Sequence, residues 1–268
     1  MSPLAAALLL MLGVGVGAAG TLVGAGGGFL LAPVLLLAYP HDSPQTLTSI
    51  SLAAVWANSS SGSLAYRRRR RIDVRSGLVF GAATLPGAVA GAVLVGHVPR
   101  RAFDAVMAVA LAAAAVWIAL RRERPHDRRG TLRELVDRDG RVWRYRVPLA
   151  RGALYSILVG FASSFLGIGG GVFHVPILVA GLGFPTHVAT ATSHFVLAQM
   201  SAAGVVTHVL QGSYGVGHGL RRSLVLAAGV TVGAQAGAHW SSRVSGQLIE
   251  RLLALGLVLV SVRLALAV

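Results

Sequence analysis

The sequence predicts an all-α integral membrane protein of about eight transmembrane helices, arranged as two homologous repeats of four spans each. Of the 268 residues, 54% are apolar and only 12% are charged, whereas about a quarter of the residues of a soluble protein are charged. The apolar runs are continuous and lack the period-two alternation of a membrane β-barrel. The same glycine-rich stretch also occurs twice, which indicates the duplication.

The duplicated stretch contains four glycines and, five residues after the last of them, a proline. The first copy contains Gly24, Gly26, Gly27, Gly28 and Pro33, and the second contains Gly167, Gly169, Gly170, Gly171 and Pro176. Each copy lies in an apolar segment of about 35 residues, 4–38 and 149–183. A continuous helix of that length would measure about 53 Å, against about 30 Å of bilayer hydrocarbon. Each segment is therefore predicted to break at its glycines.

Apolar runs after each broken segment complete the two repeats. The predicted spans are 46–66, 77–96 and 102–120 in the first repeat, and 185–210, 220–240 and 247–266 in the second. The predicted domains are a first transmembrane repeat, 1–120, a basic cytoplasmic linker, 121–148, and a second transmembrane repeat, 149–268. The linker is interpreted as a tether with a hairpin turn at Asp139-Gly140, whose Trp143 and Tyr145 rest on the membrane interface. A regulatory or partner-binding role of this loop is the alternative.

The net charge of +15 comes from 24 basic residues, all of them arginine. In a soluble protein this balance would indicate a nucleic-acid partner, but 17 of the arginines fall in 67–75 and 121–151, beside predicted spans. Arg67–Arg71 and the 121–148 loop are therefore expected to face anionic lipid headgroups on the cytoplasmic side of the membrane, with no nucleic acid bound. If each broken segment crosses once, both termini are cytoplasmic and the repeats are parallel. If it turns back, this parity changes.

The residue types exclude several classes of function. All nine acidic residues lie in loops or at predicted span ends, which excludes the buried carboxylates of cation carriers. The chain has no cysteine and so no thiolate metal site, and neither a metal nor a cofactor is predicted. An intramembrane hydrolase is a remote alternative, because Ser193 and His194 are adjacent and point about 100° apart on a helix. The G-x-S-x-G motif is also missing.

The glycine breaks favour an anion as the ligand. A helix broken near the membrane midplane offers free N–H groups and the positive end of the following half-helix. Two such breaks are expected to form one site where the repeats meet. The alternative is that these glycines only allow helices to pack closely, as small residues often do in membranes. Four glycines in five positions, duplicated within an overlong segment, favour the functional interpretation.

The next span in each repeat adds polar side chains to the predicted site. They are Thr48, Ser51 and Asn58 in the first repeat and Thr190, Thr192, Ser193 and Gln199 in the second. Asn58 follows Ser51 by seven residues and Gln199 follows Thr192 by seven, so each pair shares a helical face. His174 and His194 are the mid-span groups that can titrate near neutral pH. They are candidates for proton coupling, with neutral structural histidines as the alternative.

These motifs in this order resemble the TauE/SafE family of sulfite and organosulfonate exporters. Both copies of G-x-G-G-G-x4-P precede a hydroxyl-rich stretch, 48–51 and 190–193, and then a G-A-x-x-G-A stretch, 87–92 and 233–238. The resemblance covers nearly the whole chain except 121–146. It implies a secondary transporter that moves sulfite, related sulfur oxyanions or organosulfonates across the inner membrane. An anion channel, or a carrier for a different small organic anion, is the alternative.

Overall fold

The computed structural model describes residues 2–120, 130–214 and 218–241, together with 243–245, 247, 248, 251, 255, 258, 259 and 262. Most of the predicted last span, 247–266, and residues 121–129 of the linker lie outside this described part. Where it is described, the chain is mostly helical, as predicted.

The first half of the chain forms five helices. They are α1 (Pro3–Val23), α2 (Gly28–Ala38), α3 (Pro44–Arg68), α4 (Val74–Leu94, extended by a 3-10 turn over Val95–His97) and α5 (Arg100–Leu120). Side-chain caps start three of them, because the oxygens of Ser2, Ser43 and Asp73 accept a backbone N–H three residues later. The first turns of α1 and α3 also contain a proline, which needs no hydrogen-bond partner there.

The second half begins with a small antiparallel sheet and continues with four helices. The strands are β1 (Thr131–Val136) and β2 (Val142–Val147). The helices are α6 (Leu149–Leu166), α7 (Gly171–Pro176, continued by a π-helical turn over Ile177–Gly181), α8 (Thr186–Leu210) and α9 (His218–Trp240). The all-α prediction is therefore wrong in the linker, where alternating side chains on two strands form a hairpin.

Four helices are long and apolar enough to cross a membrane: α1, α4 with its 3-10 turn, α6 and α8. This agrees with an integral membrane protein, but four such helices do not confirm the predicted count of eight spans. Each half of the chain packs a helix against the other half in the same way. In the first half α1 and α3 pack on α9, and in the second half the equivalent helices α6 and α8 pack on α4. A Cβ at Gly87 would meet the Ile157 carbonyl of α6, and one at Gly233 would meet the Val14 carbonyl of α1. These glycines serve close helix packing.

The equivalent helices α3 and α8 pack antiparallel at the centre of the molecule. Gln45, at the start of α3, donates to Ser213, just after α8, at 2.9 Å. Gly62, near the end of α3, lies against the ring of His194, near the start of α8. Corresponding helices of parallel repeats would run in the same direction. The expectation of parallel repeats is therefore wrong, and the two repeats are inverted.

This arrangement gives the molecule two ends. We call the end that holds residues 67–73, the β-hairpin and residues 183–187 the hairpin end. We call the end that holds residues 39–45 and 211–213 the far end.

The first broken segment begins and ends at the far end. Gly13 of α1 lies against Leu226 and Gly229 of α9. Tyr39, directly after α2, lies 3.7 Å from the guanidinium of Arg222, one turn earlier in α9. Both arms of the segment therefore reach the same end of α9, and the chain turns back at the glycines.

The second broken segment turns back in the same way at the hairpin end. Phe80 contacts both Gly152, near the start of α6, and Phe184, which follows α7. The assumption that each segment crosses once is therefore wrong. Left-handed glycines reverse the chain, and the arm after each break is 11 residues or about 16 Å long, too short to cross about 30 Å of hydrocarbon.

The reversal changes the predicted topology. Arg67–Arg71 and the β-hairpin lie together at the hairpin end, where the Arg138 N–H donates to the Arg69 carbonyl at 3.0 Å. The first residues of α1 and Arg222 lie at the far end. The prediction that the N-terminus and Arg221–Arg222 share a side with the arginine clusters is therefore wrong. The C-terminus lies outside the described residues.

Labelling of single cysteines tests this topology, because the natural chain contains no cysteine. Ser2→Cys and His41→Cys, both exposed at the far end, are expected to react with an impermeant maleimide from the same side of the membrane. Arg70→Cys is expected to react from the opposite side. Labelling of positions 2 and 41 from opposite sides would show that the first segment crosses.

The β-hairpin is docked on the helices rather than tethered loosely. Arg71, 2% exposed, donates to Asp137 at 3.2 Å and to Asp139 at 3.1 Å. The Tyr145 hydroxyl donates to Asp73 at 3.0 Å, so this residue lies inside the protein and not on a membrane interface. Burial, and then the neighbouring Asp73 carboxylate, raise the pKa of Tyr145 well above its usual value.

Candidate functional site

The two breaks share one backbone conformation. Its left-handed residues are Gly24, Gly26 and Gly27 (φ 83°, 73° and 78°) and, at the same three positions of the second copy, Gly167, Gly169 and Gly170 (68°, 75° and 61°). A residue with a side chain costs roughly 1–2 kcal/mol in this region. Glycine is therefore required at these positions whether or not a ligand binds.

The two breaks touch each other at mid-depth. A Cβ at Gly28 would lie 2.7 Å from the carbonyl carbon of Ile168, and one at Gly171 would lie 2.8 Å from that of Ala25. Val55, at the middle of α3, packs against glycines of both breaks. Both breaks are buried, which is the condition under which irregular backbone is tolerated at membrane depth.

Hydroxyls from each repeat bind the break of the other repeat. The Ser51 hydroxyl donates to the Gly167 carbonyl at 2.6 Å, and Ser193 donates to the Gly24 carbonyl at 3.2 Å. The backbone of Thr48 lies against Gly167, and that of Thr190 lies against Gly24. The structure thus brings together the predicted glycines and four of the predicted hydroxyl residues. Pro33 and Pro176 are buried within the arms that follow the breaks.

Two predicted site residues face α4 instead of the breaks. The Thr192 hydroxyl accepts the Asp73 N–H at 3.0 Å, at the start of α4. Gln199 donates to the Gly77 carbonyl of α4 at 3.3 Å and to the Phe195 carbonyl at 3.0 Å. Residues seven apart lie on the same side of a helix, but this spacing does not say which neighbour that side meets.

Asn58 belongs to a buried polar cluster beside the first break. Its side-chain oxygen accepts the Thr21 hydroxyl at 3.1 Å, and Thr21 also lies 3.2 Å from Nε2 of His194. The Tyr66 hydroxyl donates to the Thr21 carbonyl at 2.7 Å. Thr21 and Tyr66 were not among the predicted site residues. The repeat could have indicated Thr21, because Ser164, at the equivalent position, also places a hydroxyl three residues before its break.

His174 lies apart from this cluster. Its Nε2 is 3.4 Å from the Ser156 hydroxyl of α6, and its ring packs edge-on against Phe80 of α4. The two candidate histidines therefore belong to different surroundings.

Backbone donors at both breaks have no partner in the part of the chain that the structure describes. They are the N–H groups of Gly27, Gly28 and Phe29 in the first break and of Gly169, Gly170 and Val172 in the second. Over 90% of buried backbone N–H groups in proteins are hydrogen-bonded. The two touching breaks thus contain six unpaired donors, and no charged side chain is among the nearest neighbours of their glycines in the described chain.

A helical protein with two buried, inverted re-entrant breaks at mid-depth belongs to the class of membrane transporters rather than enzymes. The sequence matches the family described as sulfite exporter TauE/SafE over residues 9–264, and the chain belongs to that family.

Three relatives are also transporters by description. The chain is 27% identical to the "Probable membrane transporter protein YunE" of Bacillus subtilis (strain 168), over 96% of each chain. It is 28% identical to the "Probable membrane transporter protein ORF9" of Sinorhizobium sp, over 90% of this chain and 85% of the relative. It is 26% identical to the "Probable membrane transporter protein MJ0441" of Methanocaldococcus jannaschii, over 78% and 74%. No solved structure matches the chain.

Proposed function

We propose that this protein is a secondary transporter of small anions. The favoured substrates are sulfite, related sulfur oxyanions or organosulfonates. The substrate binds between the two glycine breaks when they separate. The observation that carries the proposal is the set of unpaired, buried N–H donors at both breaks. Oxyanions offer several acceptors for such donors, and the glycines allow the anion to approach the backbone closely.

The side chains around the breaks support the same ligand charge. Unpartnered donors include Nδ2 of Asn58 and the hydroxyl of Thr190, whereas no carboxylate lies among the residues that contact the breaks in the described chain. An anion would therefore meet donors without repulsion. Ser51 and Ser193 hold the carbonyls of the opposite breaks and so position the donors.

Membrane placement follows from the arginines. We propose that the hairpin end is cytoplasmic in the inner membrane, with Arg67–Arg71 and the linker near anionic headgroups, and that the N-terminus is on the outer side. His174 and His194 are the candidates for coupling transport to a proton gradient. An anion channel with the same donors is the second candidate function, because the donors alone do not require alternating access.

Anion flux in proteoliposomes tests the proposal. Sulfite, thiosulfate, sulfate, methanesulfonate and chloride are compared for the wild type, Gly27→Leu and Gly170→Leu. We expect saturable flux of a sulfur oxyanion or sulfonate, lost in both variants because leucine does not tolerate the left-handed backbone.

The outcomes separate the alternatives. Flux that does not saturate and does not couple to any gradient would favour a channel. The absence of flux for every anion, or wild-type flux in both variants, would contradict the proposed site.

A further inference from the structure

The polar cluster of Thr21, Asn58, Tyr66 and His194, here called the first-break cluster, has no full counterpart at the second break. The corresponding residues at the offset of the repeat are Ser164, Met200, His208 and Leu52. Gly62 lies against His194 on one side, and its counterpart Gly204 lies against Leu52 on the other. The two breaks are thus alike in backbone but differ in the side chain that occupies this position.

The first-break cluster is buried, and its hydrogen bonds fix which group donates and which accepts. Thr21, Asn58 and His194 are each 0% exposed. The Thr21 hydroxyl donates its single proton to Asn58, so towards His194 it can only accept. With the Asn58 amide oriented so that its oxygen faces Thr21, the proton of the neutral ring lies on Nε2, and Nδ1, which has no hydrogen-bond partner among the described residues, is the atom that takes a second proton.

Few titratable groups face His194. Thr21 and Gly62 meet it from α1 and α3 without a charge, and Tyr66 of α3 packs edge-on at 5.7 Å between ring centres. Arg69 and Arg71 lie beyond Tyr66. In the described part of the chain, no charged side chain acts on His194. A charge on this ring would therefore be uncompensated by the protein itself.

We propose that His194 is the proton-binding group that couples anion movement to a pH gradient, and that Thr21 links it to the first break. This inference rests on the proposed anion site. The proton adds to the lone pair of Nδ1 to give an imidazolium and leaves from the same atom on the other side of the membrane. A buried cation alone and a buried anion alone are both unfavourable, whereas together they compensate, so each favours binding of the other.

The second candidate histidine lacks this link. His174 contacts Ser156 and Phe80, on α6 and α4, and no hydrogen bond joins its side chain to either break in the described residues. Its protonation would therefore not be linked to either break through a side-chain hydrogen bond in the described residues.

Flux with and without a pH gradient tests the inference in proteoliposomes that contain the full chain. Sulfite is the probe, and methanesulfonate is run beside it because it takes up no proton near neutral pH. For the wild type, acid on the side of the anion is expected to raise the initial rate at least about fivefold. His194→Gln and Thr21→Val are expected to lose this stimulation and keep a pH-independent flux. Thr21→Ser, which retains the hydroxyl, is expected to keep the stimulation.

His208→Gln is the matched control, because His208 is a buried histidine at the other end of α8 that is bonded to Ser213 and not to a break. It is expected to respond to the gradient as the wild type does. Full stimulation in both His194→Gln and Thr21→Val would overturn the inference. If His194→Gln does not fold, equal stimulation in Thr21→Val and Thr21→Ser would overturn it instead. Saturable wild-type flux without pH dependence would also overturn it but leave the anion site standing. Absence of wild-type flux would instead overturn the proposed function.

Discussion

Replacement of Gly28 with alanine is expected to lower the free energy of unfolding by about 1–3 kcal/mol and to abolish anion flux. The backbone of Gly28 is helical, so the effect comes from space alone. The added methyl group would lie 2.6 Å from Val55 and 2.7 Å from the carbonyl of Ile168 in the other break. Because Ile168 meets Gly28 through its backbone, the two breaks would have to move apart. Thermal unfolding in detergent and flux in proteoliposomes measure the two effects.

Gly15→Ala is the matched control for this substitution. Gly15 lies in α1, and nothing is found within 4 Å of the position of its Cβ. Alanine there is expected to raise the free energy of unfolding by up to about 1 kcal/mol, since it favours the helix. Equal stability of Gly28→Ala and the wild type would contradict the contact between the breaks.

Replacement of Asp137 with alanine is expected to release the β-hairpin from the helices. It leaves Arg71 buried without its main partner, and breaking a buried ion pair in this way costs about 3–5 kcal/mol. Asp139 offsets part of the cost, although its side chain is 60% exposed. Asp137 also accepts the N–H groups of Asp139 and Arg141 in the turn. Hydrogen exchange of residues 131–147 is expected to accelerate strongly, which mass spectrometry measures.

The exposed ion pair on the outer face of the same hairpin provides the control. Arg144 and Glu134 are 2.8 Å apart with side chains 70% and 49% exposed, so Glu134→Ala is expected to cost at most about 1 kcal/mol. Similar exchange rates in the two variants would show that the buried pair does not hold the hairpin.

The pH dependence of hairpin docking has a definite sign. Burial would raise the pKa of Asp137, but the N–H of Arg141 and the charge of Arg71 outweigh it, and the pKa lies below its usual value of 3.8. The stabilisation from this carboxylate is therefore present above pH 3.8 and is lost as the pH falls below it through the folded pKa. The difference in hairpin protection between the wild type and Asp137→Ala, corrected for the intrinsic exchange rate at each pH, is therefore expected to be constant between pH 7 and pH 5.

Local rules account for much of what the sequence predicts. Composition and continuous apolar runs indicate a helical membrane protein, because each residue contributes to these signals independently of its neighbours in space. The breaks were predictable for a related reason. A run such as Gly26-Gly27-Gly28 in an overlong apolar segment marks a backbone that only glycine adopts, and the positive φ angles at Gly26 and Gly27 agree with it.

Tertiary contacts decided the direction of each arm. A 35-residue segment with one break fits a bent crossing as well as a re-entrant hairpin, and counting arginines depends on which of the two is assumed. Contacts between residues far apart in sequence, such as Tyr39 with Arg222, settle the choice. They also show that the repeats are inverted, because the reversal of the second segment, which lies between α3 and α8, makes α8 antiparallel to α3.

The residue types of the sequence thus determined the membrane class, the two breaks and the hydroxyls of Ser51 and Ser193 that bind them. Only the tertiary structure decided that Thr21 joins Asn58 and His194, that Thr192 and Gln199 face α4, and that the hairpin is docked through Arg71. The physical reason is that propensity and spacing act along one element. The partner of a side chain is decided by long-range packing, which a single sequence does not record.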